Sequence, residues 1–354
     1  MTLHNNYITI AKAIGIILMV AGHSACPTLL SKFIYFFHMP LFFFCSGYFF
    51  TQPTNVNSLI QYICRRIKGL YLPFITWNFF FLLCHNFLIY LHIYYHEETY
   101  IYHTDDYATK LYYIIFTMSE QEPIVFQLWF LKQLFLSSCI TCLFSYILAK
   151  KSIIINHLWG MCMLITITIF LKYINFVIPV IGDISIVLLS IIFFYMGFIY
   201  KQRFYKVTHN LIRGGICAVI LILLAWLCHS KIEMLNYTYK NIPIFICSAQ
   251  IGLYMVICFA KNLEKYTIRK ILYYIGNHTM VVFIWHLLSF RLASIIKTAI
   301  WDYPIERIGD IALISEHNQF FWIIYTLIGC AIPLLLYFLI YDFPSKFVTI
   351  NNTD

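Results

Sequence analysis

Charge is what this sequence has least of. Of its 354 residues only 11% are Asp, Glu, Lys or Arg, against roughly a quarter in ordinary soluble domains. A soluble fold of this length would have too much water-facing surface to cover with so few charges. Acids are scarcer than bases, 15 against 24, for a net charge of +9. The bases sit in short loops between apolar runs rather than along one face, which excludes nucleic acid as a partner. The first apolar run lacks a basic leader and carries Lys12 within it, so no cleavable signal peptide is read. There is no internal repeat, no low-complexity tract, no phosphate-cradling glycine loop, no zinc-ligand spacing and no serine-nucleophile elbow. The twelve cysteines form no legible disulfide framework. Cys139 and Cys142 make a C-x-x-C, but it lies inside an apolar run, where small-residue packing explains it.

Present instead are hydrophobic residues, 61% of the chain, with 19% aromatic. They fall in runs of about twenty residues, the length that crosses a hydrocarbon core of about 30 Å. The pattern predicts an all-α, polytopic integral membrane protein, one domain over 1–354, with about ten transmembrane helices. These are read at 8–26, 31–50, 70–95, 127–148, 152–174, 177–200, 211–229, 242–260, 271–297 and 319–341. With the N-terminus inside, the inner loops hold Arg65, Arg66, Lys68, Lys150, Lys151, Lys201, Arg203, Lys206, Arg213, Lys261, Lys265, Arg269 and Lys270 against the single acid Glu264. The outer loops hold Glu97, Glu98, Asp105, Asp106, Glu120, Glu122, Glu233, Asp302, Glu306, Asp310 and Glu316. This alternation predicts an N-in, C-in topology.

Ionisable residues inside membrane helices mark functional sites, because charge in hydrocarbon is costly. The first helix carries two, Lys12 and His23, eleven positions apart. At 100° per residue that spacing returns to within about 20° of the same face, and at 1.5 Å per residue it spans roughly 16 Å. The second run carries His38, with Pro40 beside it predicting a kink. The hairpin places His23 and His38 at similar depth, so one imidazole could act as a base while the other orients it or binds an acyl oxygen. The blander readings are a snorkelling Lys12 and histidines that satisfy helix-end carbonyls.

The stretch ITIAKAIGIILMVAGH at 8–23 resembles the opening helix of the acyltransferase 3 family, which has a basic residue, ten intervening residues and then His. FFHMPLFFFCSGYFF resembles the second helix of the family's fucose 4-O-acetylase-like branch. CRRIKGLYLPFITW at 64–77, LWFLKQLF at 128–135 and IGNHTMVVFIWHLL at 275–288 are weaker echoes in the same order. The branch has an acid three positions before the basic residue; here that position is Thr9.

The resemblance implies an O-acyltransferase that takes an acyl group, acetyl above all, from cytoplasmic acyl-CoA to a sugar hydroxyl of a cell-envelope or exported glycan. Acetyl-CoA or another acyl-CoA is then a donor substrate; no permanently bound cofactor or metal is implied. The partners are acyl-CoA, a glycan or lipid-linked sugar, and the bilayer of a plasma membrane, read as a bacterial inner membrane. His23, His38 and Lys12 are the candidate catalytic residues. Arg65, Arg66 and Lys68 are candidate donor-binding cations, since CoA phosphates call for them. Further candidates are His286, which matches a histidine of the late motif, Trp129 as a stacking surface, and Asp183 as a histidine's partner. Lys132 reads as snorkelling. The alternatives are a transporter or flippase of a lipid-linked glycan, against which stands the lack of two related halves, and a non-catalytic member of the same fold, which Thr9 keeps open. The unrelated membrane-bound O-acyltransferase superfamily fits less well, because the histidines cluster in the first hairpin.

Overall fold

The computed structural model describes residues 6–94, 100–150, 157–204 and 207–343. Asn5, Glu97, Glu98, Lys151, Lys206 and the start of the helix expected at 152–174 lie outside them. The described chain is helical almost throughout. Eight stretches are long and apolar enough to cross a membrane. The two segments expected at 152–174 and 211–229 form apolar helices of less than eighteen residues.

Helix α1, Asn6–His23, is the axis of the bundle. Ala25 takes a left-handed φ of 52° and Pro27 cannot continue a helix, so α1 stops at His23. The next span is α2, Thr28–Tyr35, followed by α3, His38–Tyr48. The break falls at Phe37, with φ of −141°, and not at Pro40 as expected. Pro40 is the third residue of α3, where its missing N–H belongs to the first-turn donors that have no helical partner anyway.

Helix α4, Val56–Arg66, runs through a π-turn at Ile67–Tyr71 into α5, Leu72–Tyr90. An Asn55–Ser58 capping box starts it, and its polar face hid it from a search for apolar runs. In the stretch after 100 lies α6, Thr104–Tyr112. Then come α7, Trp129–Lys150, and α8, His157–Tyr173. The two-residue strands β1, Val177–Ile178, and β2, Gly182–Asp183, pair antiparallel where the sequence reads helix. They lead into α9, Ile184–Ile199, and α10, Leu211–Leu227. Helix α11 spans Ile242–Leu263. The run expected as one helix over 271–297 is broken at His278 into α12, Arg269–Asn277, and α13, Thr279–Trp301. Helix α14, Phe321–Tyr337, follows.

Large apolar side chains such as Trp159, Trp226, Leu327 and Phe320 face outward, as lipid-facing surfaces do. Without a hydrophobic force between helices in lipid, close packing relies on small residues. Gly47 of α3 lies against the Phe194 backbone of α9, and Gly197 of α9 against the Phe44 backbone of α3. A methyl group at either position would overlap a carbonyl. Gly276 packs on the backbone of Thr9 in the same way, so the position where the branch has an acid is here a helix contact.

Candidate functional site

Lys12 is half-buried in the wall of a cavity of about 180 Å³ whose other walls include Ile16, Phe42, Cys45, Leu70 and Phe130. No described carboxylate pairs with its ammonium. An unmatched cation in an apolar chamber asks for an anionic or strongly dipolar guest. Arg65 and Lys68 are exposed at the end of α4 and in the π-turn. Arg66 lies over the Tyr62 ring at 4.8 Å. None of the three lines the chamber, but Leu70, two residues beyond Lys68, does.

The C-terminal end of the same α1 face meets a second cavity, of about 90 Å³. His23, His38 and Trp129 line it together, with Tyr35, Phe126, Gln127 and Glu233. His38 is fully buried, and its Nδ1 donates to the Ile34 carbonyl at 3.0 Å, which at the α2–α3 break also accepts from the Phe37 N–H at 3.2 Å. With Nδ1 carrying the hydrogen, neutral His38 presents a bare lone pair at Nε2. It therefore cannot donate to an acyl oxygen from Nε2 while neutral. The ring neighbours of His23 are Phe126, stacked at 5.5 Å, and His286, edge-on at 5.2 Å. His38 packs on Tyr35 instead, at 4.7 Å. His286 is buried, with Nδ1 on the Val282 and Phe283 carbonyls at 3.2 and 2.9 Å, and its Nε2 has no partner. The imidazole next to His23 thus comes from α13 rather than from the hairpin.

Met19, Met39 and Phe283 line both cavities. The two chambers meet at this apolar neck, so Lys12 and His23 face adjoining spaces along one side of α1.

The C-terminal end of α1 is held from the α13–α14 connection. Asn318 donates through Nδ2 to the Ser24 and Ala25 carbonyls, both at 2.9 Å, satisfying groups that a helix C-terminus leaves open. Its Oδ1 accepts from buried Lys297 at 3.3 Å, and Lys297 also donates to the Ile314 carbonyl at 2.8 Å. His23 sits one residue before this clamp. Residues that act only through such tertiary partners carry no local sequence signal.

Other candidates fall elsewhere. Asp183 caps α9 through Ser185 and pairs with Lys172 at 2.7 Å; its carboxylate serves these partners and no histidine. Burial works to raise the Asp183 pKa, but Lys172 and Ser185 hold it below the ordinary carboxylate value. Lys132 donates to the Val180 carbonyl at 2.9 Å. Glu122, read from sequence as a solvated loop acid, is buried and bound to His85 at 2.7 Å. His85 donates from Nε2 to the Tyr100 carbonyl at 3.0 Å and stacks on Tyr102. Gln127, Glu233 and Asn318 were missed, because only the fold brings them to the α1 face.

Fold and site together define a multi-pass helical membrane protein with ionisable side chains lining two adjoining cavities beside α1. The sequence model of the acyltransferase 3 family, described as an acyltransferase domain, matches residues 5–342. The chain belongs to that family, and with it to the membrane acyltransferases. No curated protein and no solved structure matches it.

Proposed function

We propose that the protein moves an acyl group, acetyl above all, from cytoplasmic acyl-CoA to a sugar hydroxyl of a cell-envelope or exported glycan at the plasma membrane. The observation that carries this reading is the pair of adjoining cavities along one α1 face, with unmatched Lys12 in one and His23 in the other. Arg65, Arg66 and Lys68 would hold the CoA phosphates at the inner face, with the pantetheine arm extended past Lys12 toward the neck. His23 takes the proton from the acceptor hydroxyl as its oxygen bonds to the acyl carbon. The carbon–sulfur bond breaks, and the proton passes from His23 to the departing thiolate to give free CoA. The oxyanion needs a donor. Trp129 and Tyr35 bring an indole N–H and a hydroxyl to the cavity wall, and neutral His38 does not supply one there. His286 is better placed than His38 to orient His23.

The test is transfer from radiolabelled acetyl-CoA to endogenous glycan in membranes carrying His23→Ala or His23→Gln at matched expression. Removing a general base costs about 10²–10⁴-fold, and Gln, which cannot cycle a proton at neutral pH, is expected to be nearly as inactive as Ala. Near-wild-type acetylation by His23→Gln would remove His23 from the chemistry.

A further inference from the structure

We infer that the His23 cavity selects a neutral, hydroxyl-rich acceptor group and rejects an anionic one, with Gln127 as a specificity-determining residue; this rests on the acyltransferase reading above. Gln127 is 2% exposed, and its Nε2 donates to the carbonyls of Phe283 and Ile284, both at 3.3 Å. Only the amide NH₂ can serve carbonyls, so the orientation is fixed and Oε1 is the free atom. That Oε1 has no partner and is buried. Left unmatched, such an atom carries a desolvation cost that a guest's hydrogen bond removes. His38 adds a second lone pair at Nε2, because its Nδ1 hydrogen is used on Ile34. Behind His23, the Nε2 of His286 is a third buried acceptor without a donor.

The charged members of this corner point the same way. Glu233 lines the cavity. Its neighbour Lys231 is already engaged, with the Glu233 carboxylate at 2.9 Å and the Tyr35 ring at 3.8 Å. An anionic guest would therefore meet lone pairs and a Glu233 carboxylate already matched by Lys231, and among the described residues no unpaired cation lines the cavity. A polyol edge supplies the O–H donors these atoms lack. Size narrows the fit further. About 90 Å³ is the room of about three waters and less than the ~150 Å³ that takes up benzene. One hydroxyl-bearing edge enters, with one hydroxyl at His23 and another donating to Gln127.

The experiment measures acetyl transfer from acetyl-CoA to p-nitrophenyl β-glucoside and p-nitrophenyl β-glucuronide in membranes of the wild type, Gln127→Met and Gln127→Glu. The wild type is expected to use the glucoside at least about tenfold better by kcat/KM. Gln127→Met, similar in volume but without the acceptor, is expected to raise KM for the glucoside roughly tenfold and to leave KM for acetyl-CoA unchanged. Gln127→Glu keeps an acceptor oxygen but only its protonated form can donate to the Phe283 and Ile284 carbonyls, so it is expected to recover part of that loss at acidic pH and none at neutral pH. Equal or better use of the glucuronide overturns the proposal without reference to any variant, and so does a Gln127→Met whose two KM values move together. If neither glycoside is acetylated while endogenous glycan still is, the neutral-edge proposal fails and the acyltransferase reading stands. If glycan acetylation is the same with and without the protein, the acyltransferase reading itself fails.

Discussion

The two ends of the Lys12–His23 face are built from different materials. The Lys12 chamber is the larger of the two, about 180 Å³ against about 90 Å³, and its walls are apolar but for Lys12, Cys45, Ser46 and Thr279. The His23 cavity is half that size and crowded with imidazole, amide and carboxylate. A roomy apolar space with one unmatched cation suits a long, flexible guest whose dipole or charge is held at one point. A tight space lined with lone pairs suits proton movement at a fixed position. One helix thus separates holding from chemistry by roughly 16 Å.

Substitutions at the two ends should fail differently. The largest effect is the loss at His23, which is expected in kcat. Lys12→Met comes next. A hydrogen bond to a charged group contributes about 1.5–3 kcal/mol, so the variant is expected to raise KM for acetyl-CoA about 10- to 100-fold. Lys12→Arg should recover part of it. A fall in kcat alone at Lys12 would merge the two ends into one catalytic unit. Replacing Arg65 and Arg66 together with Ala should raise KM for acetyl-CoA a few-fold, because exposed charge contacts are worth only about 0–1 kcal/mol each; an unchanged KM would move the donor site elsewhere.

The comparison also requires a direction across the bilayer. In an otherwise cysteine-free protein in intact cells, an impermeant maleimide should label a cysteine placed at Asp105 and not one placed at Lys265. The reverse pattern would put His23 on the cytoplasmic side and undo the assignment of donor and acceptor ends.

Much of this was legible in sequence, and the exceptions share a cause. The apolar runs located the spans because a bilayer imposes length and composition locally. The shared face of Lys12 and His23 follows from helix geometry alone. Helix α4 escaped because its residues are amphipathic, and the break at His278 because the apolar pattern resumes at once after Gly276 and Asn277, the two residues that end α12. Glu122 read as a solvated acid, since counting loop charges cannot reveal that the chain folds back to bury it on His85. The His23–His286 contact joins residues 23 and 286 across the whole chain, and the open oxygen of Gln127 is defined by which carbonyls its nitrogen reaches. Such sites exist only as tertiary relations.

The neck of Met19, Met39 and Phe283 also bears on the cell's electrical economy. A polar passage running from an inner lysine to an outer histidine would be a ready path for protons, and the membrane potential drives each elementary charge with about 2.3 kcal/mol per 100 mV. Apolar constrictions of this kind exclude water and so interrupt a proton-conducting file. Three such side chains between the chambers would interrupt a proton file between Lys12 and His23 while offering an apolar surface to an acyl chain.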